Sequence, residues 1–328
     1  MTHGITARDV AKLAGVSQSS VSRVYFKGAI VSEKTRKKVL AAAEELGYRP
    51  NEFARSLITN QSKIIGLVMK GIQNPFYPQV LKEFTTSFKN SGYSILFVYT
   101  NNEEIQKDDI EILLNYNVAG VIITDASLSL NATEDFKKQK IPLVLFNRKI
   151  NSNDFYSVCC NNLEASKQIA EFLIEKGSTD MAYIAGNGNT STSKEREQGF
   201  TTFLNSTSIP VNKYYSDYTY KGGFNTAKKI IELKALPSAF FVANDIMALG
   251  VLDALREYSI AVPTEVKVIG FDNIDMASWP AYKLTTWEQP ISDMVNQTVK
   301  YILSEIDEYT GYVDNIEING RFIERHTT

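Results

Sequence analysis

The chain has 328 residues, 44% apolar and 22% charged, the balance of a soluble globular protein too long for one ordinary core. Two or three domains are expected. Net charge is only −2, but it is unevenly spread: up to Asn60 ten Lys or Arg stand against five acids, giving +5 there and −7 in the remainder. A basic head on an acidic body fits a DNA-binding module joined to something else. No apolar run reaches the roughly 18 residues of a membrane span, and no basic segment followed by an apolar core opens the chain. Cys159 and Cys160 are adjacent and point to opposite faces of an extended strand, so no disulfide framework is expected and a reducing cytoplasm is the natural setting. His3 and His326 lie at opposite ends, which leaves no His-based metal or nucleophile cluster, and no cofactor is expected.

Thr6 can cap a first helix, with Asp9 three residues on in the capping-box position. Val10, Leu13 and Ala14 give it an inner face. Gly15-Val16-Ser17 makes a turn, and Ser17 caps a second helix. There Val21 and Val24 face inward and leave Gln18, Ser19, Ser22 and Arg23 outside. Ser32 caps a third helix, Glu33 to Leu46, with Val39, Leu40, Ala43 and Leu46 at core spacing; Gly47 and Pro50 stop it. A helix, a tight turn and a second helix carrying short polar side chains and an Arg suit the major groove of DNA. Each of those residues alone reads as solvated surface; the whole pattern favours DNA.

Asn51 to Leu57 predicts a short helix with Phe53 and Leu57 at helical spacing and Arg55 between them. Short helices are marginal alone. Two readings stand level: the helix orders against a twin copy and DNA, with Leu57 wedged into a minor-groove step, or Phe53 and Leu57 pack on the body.

Beyond Ser62 short apolar strands alternate with amphipathic helices. Strands are predicted at 63–69, 94–99, 120–124, 142–146, 158–160, 181–185, 239–242 and 267–271. Helices are predicted at 77–90, 104–116, 164–176, 194–205, 222–233 and 246–258. Doubly apolar strands alternating with helices mean parallel sheets covered on both faces, too many strands for one sheet. Two α/β lobes with a cleft between them follow, and ligands in such sheets sit at the carboxyl ends of strands. Polar residues recur at those ends: Asn74 to Tyr77, Asn147-Arg148, Asn161-Asn162, Arg196, Asn244-Asp245 and Asp272-Asn273. Arg, Asp and Asn can hold vicinal hydroxyls or carboxylates, and aromatics stack on a ring. Any one of them can be a helix cap or turn residue instead; that reading is favoured for Asn162 and Asp245, the ligand reading for Arg196 and Asp272. Gly186-Asn187-Gly188 lacks the third glycine of a dinucleotide fingerprint, and the cysteines read as strand core.

At these residues the chain resembles the lactose and galactose repressor (LacI/GalR) family of bacterial transcription factors. The resemblance rests on Asp9-Val10-Ala11, Ala14-Gly15-Val16-Ser17, Val21-Ser22-Arg23-Val24, Gly47-Tyr48-Arg49-Pro50-Asn51 and Ala54-Arg55-Ser56-Leu57. In the body it rests on Asn74-Pro75-Phe76-Tyr77, Ala243-Asn244-Asp245, Gly270-Phe271-Asp272 and Gln289-Pro290. It implies an N-terminal all-α helix-turn-helix domain and an α/β two-lobed periplasmic-binding-protein-like domain with parallel sheets and three crossover segments, the last two near Trp287–Pro290 and Asn319–Arg321. It implies a headpiece at 1–50, a hinge at 51–61, a first lobe of 62–161 with 290–319, and a second lobe of 162–289 with 320–328.

The resemblance further implies a homodimer on a pseudo-palindromic operator. Thr6, Ser17, Gln18, Ser19, Ser22, Arg23, Asn51, Arg55 and Leu57 are the expected DNA contacts, with Leu57 as the intercalating residue. Phe76, Tyr77, Asn147, Arg148, Asn161, Arg196, Tyr218, Asn244, Asp272 and Gln289 are the expected effector contacts. Asn161 stands where the family usually has Asp, and Asn273 where a second Asp is frequent. The chain carries no leucine-heptad tail after Arg325, so a dimer is the expectation. The function implied is a cytoplasmic repressor of a carbohydrate-use operon, released by a sugar-like effector. The alternative is a purine-type, corepressor-dependent repressor. A solute-binding protein and a nucleotide-using enzyme are the competitors from other classes, disfavoured by the basic head and the missing glycine motif.

Overall fold

The computed structural model describes residues 5–25, 29–49, 62–100, 105–124, 130–150, 155–186, 188 and 190–328, without the side chains of 130–133. It divides into two compact units, Met1–Ser62 and Lys63–Thr328. Among its described residues the first holds three helices: α1 (Ala7–Ala14), α2 (Gln18–Val24) and α3 (Glu33–Leu46). Gly15 and Gly47 end α1 and α3 in left-handed conformation, with φ 66° at each. Val10, Ala11, Ala14, Val21, Val24, Val39, Ala42 and Ala43 form its core. Leu13 and Leu40, expected inside, are 46% and 44% exposed. Val10, Val39 and the small alanines make the buried contacts of α1 and α3, and these two leucines stay at the rim.

The second unit contains two six-stranded sheets. In the first the order is β11-β5-β4-β3-β1-β2 and every pairing is parallel. Its strands are β1 (Ile64–Met69), β2 (Ser94–Tyr99), β3 (Gly120–Thr124), β4 (Leu143–Phe146), β5 (Tyr156–Cys160) and β11 (Asn315–Ile318). The second sheet has the order β12-β10-β9-β8-β6-β7, parallel except for the β10–β12 edge pair. It is built from β6 (Met181–Ala185), β7 (Val211–Tyr215), β8 (Ala239–Val242), β9 (Lys267–Asp272), β10 (Thr285–Glu288) and β12 (Arg321–Ile323). Helices α4 (Phe76–Asn90), α5 (Lys107–Asn115), α6 (Leu130–Lys138) and α11 (Ile291–Asp307) accompany the first sheet. Helices α7 (Asn162–Glu175), α8 (Ser191–Thr207), α9 (Tyr220–Glu232) and α10 (Asp245–Glu257) accompany the second. The chain therefore passes between the sheets three times, after Cys160, after Glu288 and after Ile318.

Central strands such as β3, β5, β6 and β8 are buried along their whole length, as parallel strands covered on both faces must be. The edge strands β7 and β11 mix half-buried and exposed residues, alternating strictly only in β11. Four helices open on a side-chain cap just past a strand or loop. Asn161 accepts from Glu164 N–H, Thr190 from Ser193, Thr219 from Gly222 and Asn244 from Met247. The helix α6, the helix α11 and the strands β7, β10, β11 and β12 are additional to the elements predicted from the sequence.

Helices α9 and α10 meet backbone to backbone. A Cβ on Gly250 would run into the Tyr220 carbonyl oxygen, and one on Gly223 into the Met247 carbonyl. Neither obstacle is a side chain that can turn away. Gly250→Ala is accordingly expected to force the helices apart and cost roughly 2 kcal/mol or more. Thermal unfolding of the variant beside the wild type measures this; an unchanged melting temperature would show that the helices slide freely.

Candidate functional site

In the helical unit α2 presents a polar face. Gln18, Ser19, Ser22 and Arg23 are exposed, opposite the buried Val21 and Val24. The other two predicted contacts on this unit are held by local structure. The Ser17 hydroxyl accepts the Ser20 N–H at 3.2 Å and lies 2.8 Å from the hydroxyls of Ser19 and Ser20. Thr6 donates its N–H and its hydroxyl to Asp9 Oδ2 at 2.9 and 2.7 Å. Both therefore shape the helix ends. Arg36 Nη1 donates to the Val24 carbonyl at 3.4 Å and ties α3 to the end of α2. Asn51, Arg55 and Leu57 lie outside the described residues.

In the α/β unit a cavity of about 290 Å³ opens at the carboxyl ends of the strands. Of the ten predicted effector residues, Phe76, Tyr77, Asn147, Arg148, Arg196, Tyr218, Asn244 and Asp272 line it. Asn161 and Gln289 do not. Asn161 is turned into the cap of α7, its Oδ1 accepting the Glu164 N–H at 3.2 Å. Gln289 is buried behind the wall, where its Nε2 donates to Asp272 Oδ1 at 2.7 Å. The caps also shift by one residue from expectation. Asn162, read as a cap, is wholly buried and accepts from Arg196 Nε at 2.9 Å. Lys70, Gln73, Tyr99, Thr190, Thr192, Asp217 and Thr219 line the cavity without having been singled out from the sequence. The Asp217-Tyr218-Thr219 run carried an available signal: Asp217 Oδ1 accepts the Thr219 N–H at 3.0 Å, an Asx turn of the kind short polar runs announce.

Arg196 is fixed on three sides. Its Nε reaches Asn162, its Nη1 donates to the Ala243 carbonyl at 2.6 Å, and its guanidinium lies 3.6 Å from the Phe271 ring centroid. Phe271 belongs to an aromatic stack with Phe241, Phe200 and Tyr183 under the second sheet. Asp272 links the lobes: Oδ1 accepts from Gln289, and Oδ2 accepts from Asn74 Nδ2 at 3.3 Å across the cleft. Burial raises its carboxyl, and the nearby Arg196 works against that.

Across the opposite rim Arg148 Nη1 donates to Thr192 Oγ1 at 2.7 Å and Lys149 N–H to Ser191 Oγ at 2.9 Å. Lys149 Nζ also pairs with Glu195 at 3.1 Å and with Glu317.

Part of the strain and unmet polarity of the described residues lies at this cavity. Asn147, Tyr218 and Asp272 hold φ of 58°, 62° and 122°, a region costly for any residue with a Cβ. Asn147 Oδ1 and the Tyr218 hydroxyl are buried without a hydrogen-bond partner. Such groups cost about 1–3 kcal/mol each when left so, and they are what a ligand would satisfy. Gly186 makes room for Tyr218: a Cβ there would sit inside the tyrosine ring. Among the described residues no group of His, Cys, Asp and Glu could hold a metal. Burial pushes the Cys159 and Cys160 thiols up to about 12 and about 11, far from nucleophilic thiolates.

Asp245, read as a turn residue, is wholly buried behind Asp272. Its Oδ2 accepts the Ile274 N–H at 2.9 Å and its Oδ1 the Thr286 hydroxyl at 2.6 Å. Burial, then the neighbouring Asp272 charge, raise its pKa from 3.8 to about 7. A carboxyl raised on folding stabilises the fold fully below its unfolded value, and that contribution disappears as pH climbs through the folded value. Urea unfolding at pH 5 and pH 7 should therefore show wild type losing up to about 1.4 kcal/mol per pH unit relative to Asp245→Asn. A pH-independent difference would mean that Asp245 is ionised throughout.

The chain has clear relatives. A model for bacterial regulatory proteins of the lacI family matches residues 6–51, and one for periplasmic binding protein-like domains matches residues 170–328. The HTH-type transcriptional repressor PurR of Actinobacillus pleuropneumoniae is 31% identical over 98% of this chain and 95% of that protein. The ribose operon repressor of Escherichia coli is 30% identical over 98% of each. The crystal structure of the lac repressor dimer bound to operator and the anti-inducer ONPF matches with a TM-score of 0.89 at 26% identity, covering 99% of each chain. No described helix is long and apolar enough to cross a membrane. With relatives at this identity over almost the whole chain, the chain belongs to the lacI family of bacterial regulatory proteins.

Proposed function

We propose that this chain is a ligand-responsive, sequence-specific transcriptional repressor that acts in the cytoplasm as a homodimer on a pseudo-palindromic operator, and that it performs no catalysis. The observation that carries this reading is the pairing, in one chain, of a capped helix exposing Gln18, Ser19, Ser22 and Arg23 with a strained, polar cavity between two sheets. Arg is suited to guanine O6 and N7 and Gln to adenine. We assign residues 1–50 to the headpiece and 51–61 to the hinge. The first lobe is 62–161 with 290–319, and the second is 162–289 with 320–328. Asn51, Arg55 and Leu57 complete the DNA contacts, with Leu57 as the minor-groove wedge.

The regulated genes serve carbohydrate use, and the effector is a small sugar-like molecule. The polar cavity, near the lower end of the roughly 300–1,000 Å³ typical of small-molecule sites, supports this. Ligand between the lobes changes their mutual angle. That alters the spacing of the paired hinges and shifts the dimer toward a geometry with weak operator affinity. A corepressor, such as a purine base, would act at the same site with the opposite sign.

The operator is obtained by selecting from random duplex DNA with the full chain. On the selected site, Arg23→Ala should lower the ratio of specific to random-sequence affinity about 10- to 100-fold and leave weak, salt-sensitive binding in place. Equal losses on both DNAs would remove Arg23 from base readout. Absence of any selected sequence would remove the regulator reading itself.

A further inference from the structure

We infer that the end of the cavity where α8 begins is an oxyanion subsite, so that the effector is a small polyhydroxylated molecule bearing a carboxylate or phosphate. This rests on the cavity being the effector site and names the class of molecule it takes.

Helix α8 runs seventeen residues from its Thr190 cap, and both Thr190 and Thr192, at its first turn, line the cavity. The amides of a helix start carry partial positive charge and suit an anion. Three further observations point the same way. Arg148 arrives from the opposite lobe and sets its guanidinium on Thr192 Oγ1 at 2.7 Å, with Thr190 Oγ1 another 3.3 Å on. A cation, two hydroxyls and a helix N-terminus thus converge from two lobes on one place.

The cavity wall also carries more positive than negative charge, Lys70, Arg148 and Arg196 against Asp217 and Asp272. Neither acid is aimed at the α8 end. Asp217 is folded back on Thr219, whose hydroxyl it accepts at 2.7 Å, and Asp272 is held by Gln289 and Asn74. Of the two acids on α8, Glu195 is paired with Lys149 at 3.1 Å and Glu197 with Lys213 at 2.8 Å.

Lastly, Asn147, the residue before Arg148, is 4% exposed, lines the same cavity, and has an Oδ1 without a partner. An acceptor buried beside a cation asks for a ligand with both a hydroxyl donor and a negative group. A sugar acid or a sugar phosphate supplies the two together; a neutral sugar supplies only the first.

The test uses the full-length dimer and inorganic phosphate as probe, with ionic strength held constant by sodium chloride. Thermal unfolding of wild type should rise saturably with millimolar phosphate. Arg148→Gln and Thr192→Val should each weaken that response about tenfold, the scale of one charge-assisted hydrogen bond. Arg23→Ala, in the headpiece, should leave it unchanged. In parallel, ribose 5-phosphate should stabilise the protein more than ribose at equal concentration, by a margin that shrinks in Arg148→Gln. No saturable response, a response intact in both cleft variants, or one lost only in Arg23→Ala would each overturn the subsite. A neutral sugar that binds wild type and Arg148→Gln alike would overturn it too, while leaving the regulator reading standing. That reading fails separately, in the DNA selection.

Discussion

The arrangement of the α/β unit depends on one carboxylate that has been taken out of water. Asp272 ends the strand β9 and is 4% exposed, so its charge survives only where donors replace the lost solvent. Those donors come from different places in the chain. Gln289 stands on the segment that leaves the second sheet after β10, Asn74 stands on the loop after β1 in the first sheet, and Arg196 lies within the range of its field. A single side chain is thereby bonded to one lobe, to the other, and to a connection between them. Asp245 sits directly behind it and bonds to Thr286 on β10. Burial raises both carboxyls, and for Asp245 the neighbouring Asp272 charge adds to it.

Much of this was legible in the sequence because the relevant physics is local. The three N-terminal helices announce themselves through Thr6, Ser17 and Ser32 at their starts and Gly15 and Gly47 at two of their ends. The central strands are continuous apolar runs, the signature of burial on both faces. What escaped has a common cause. Strands β7, β11 and β12 lie at or near sheet edges, are short, and mix apolar with polar residues, so no run stands out. Their identity is set by the neighbours they pair with, which the local sequence does not display. Helix α11 is different: Ile291, Met294, Val295, Thr298 and Ile302 repeat at helical spacing, and the pattern was there to be read.

At the cavity the division follows the same line. Eight of the ten residues expected there line it, because polar side chains at the carboxyl ends of parallel strands have few other places to point. Asn161 and Gln289 show the limit of that reasoning. Asn161 and Asn162 are neighbours of one type, yet one caps a helix and the other holds Arg196; a helix start that moves by a single residue exchanges their roles. Gln289 belongs to the site without touching its space, by orienting Asp272. Thr190 and Thr192 were invisible for the converse reason. Thr190 caps α8 and Thr192 lies in its first turn, and a helix start that opens on a cavity also faces whatever enters it.

The three passages between the sheets have a consequence for how the molecule is made. Each sheet has an outer strand drawn from the last stretch of chain, Asn315–Ile318 in one and Arg321–Ile323 in the other, paired with partners as distant as Ser157. During synthesis neither sheet can be finished while it emerges. The first must wait more than 150 residues for its final strand, with β5, wholly buried in the finished fold, presenting an unpaired edge in the meantime. Contacts of such long range make for slow closure. The nascent body should therefore keep that edge open until both of these strands have emerged, whereas the helical unit, built from contacts within some forty residues, can close long before.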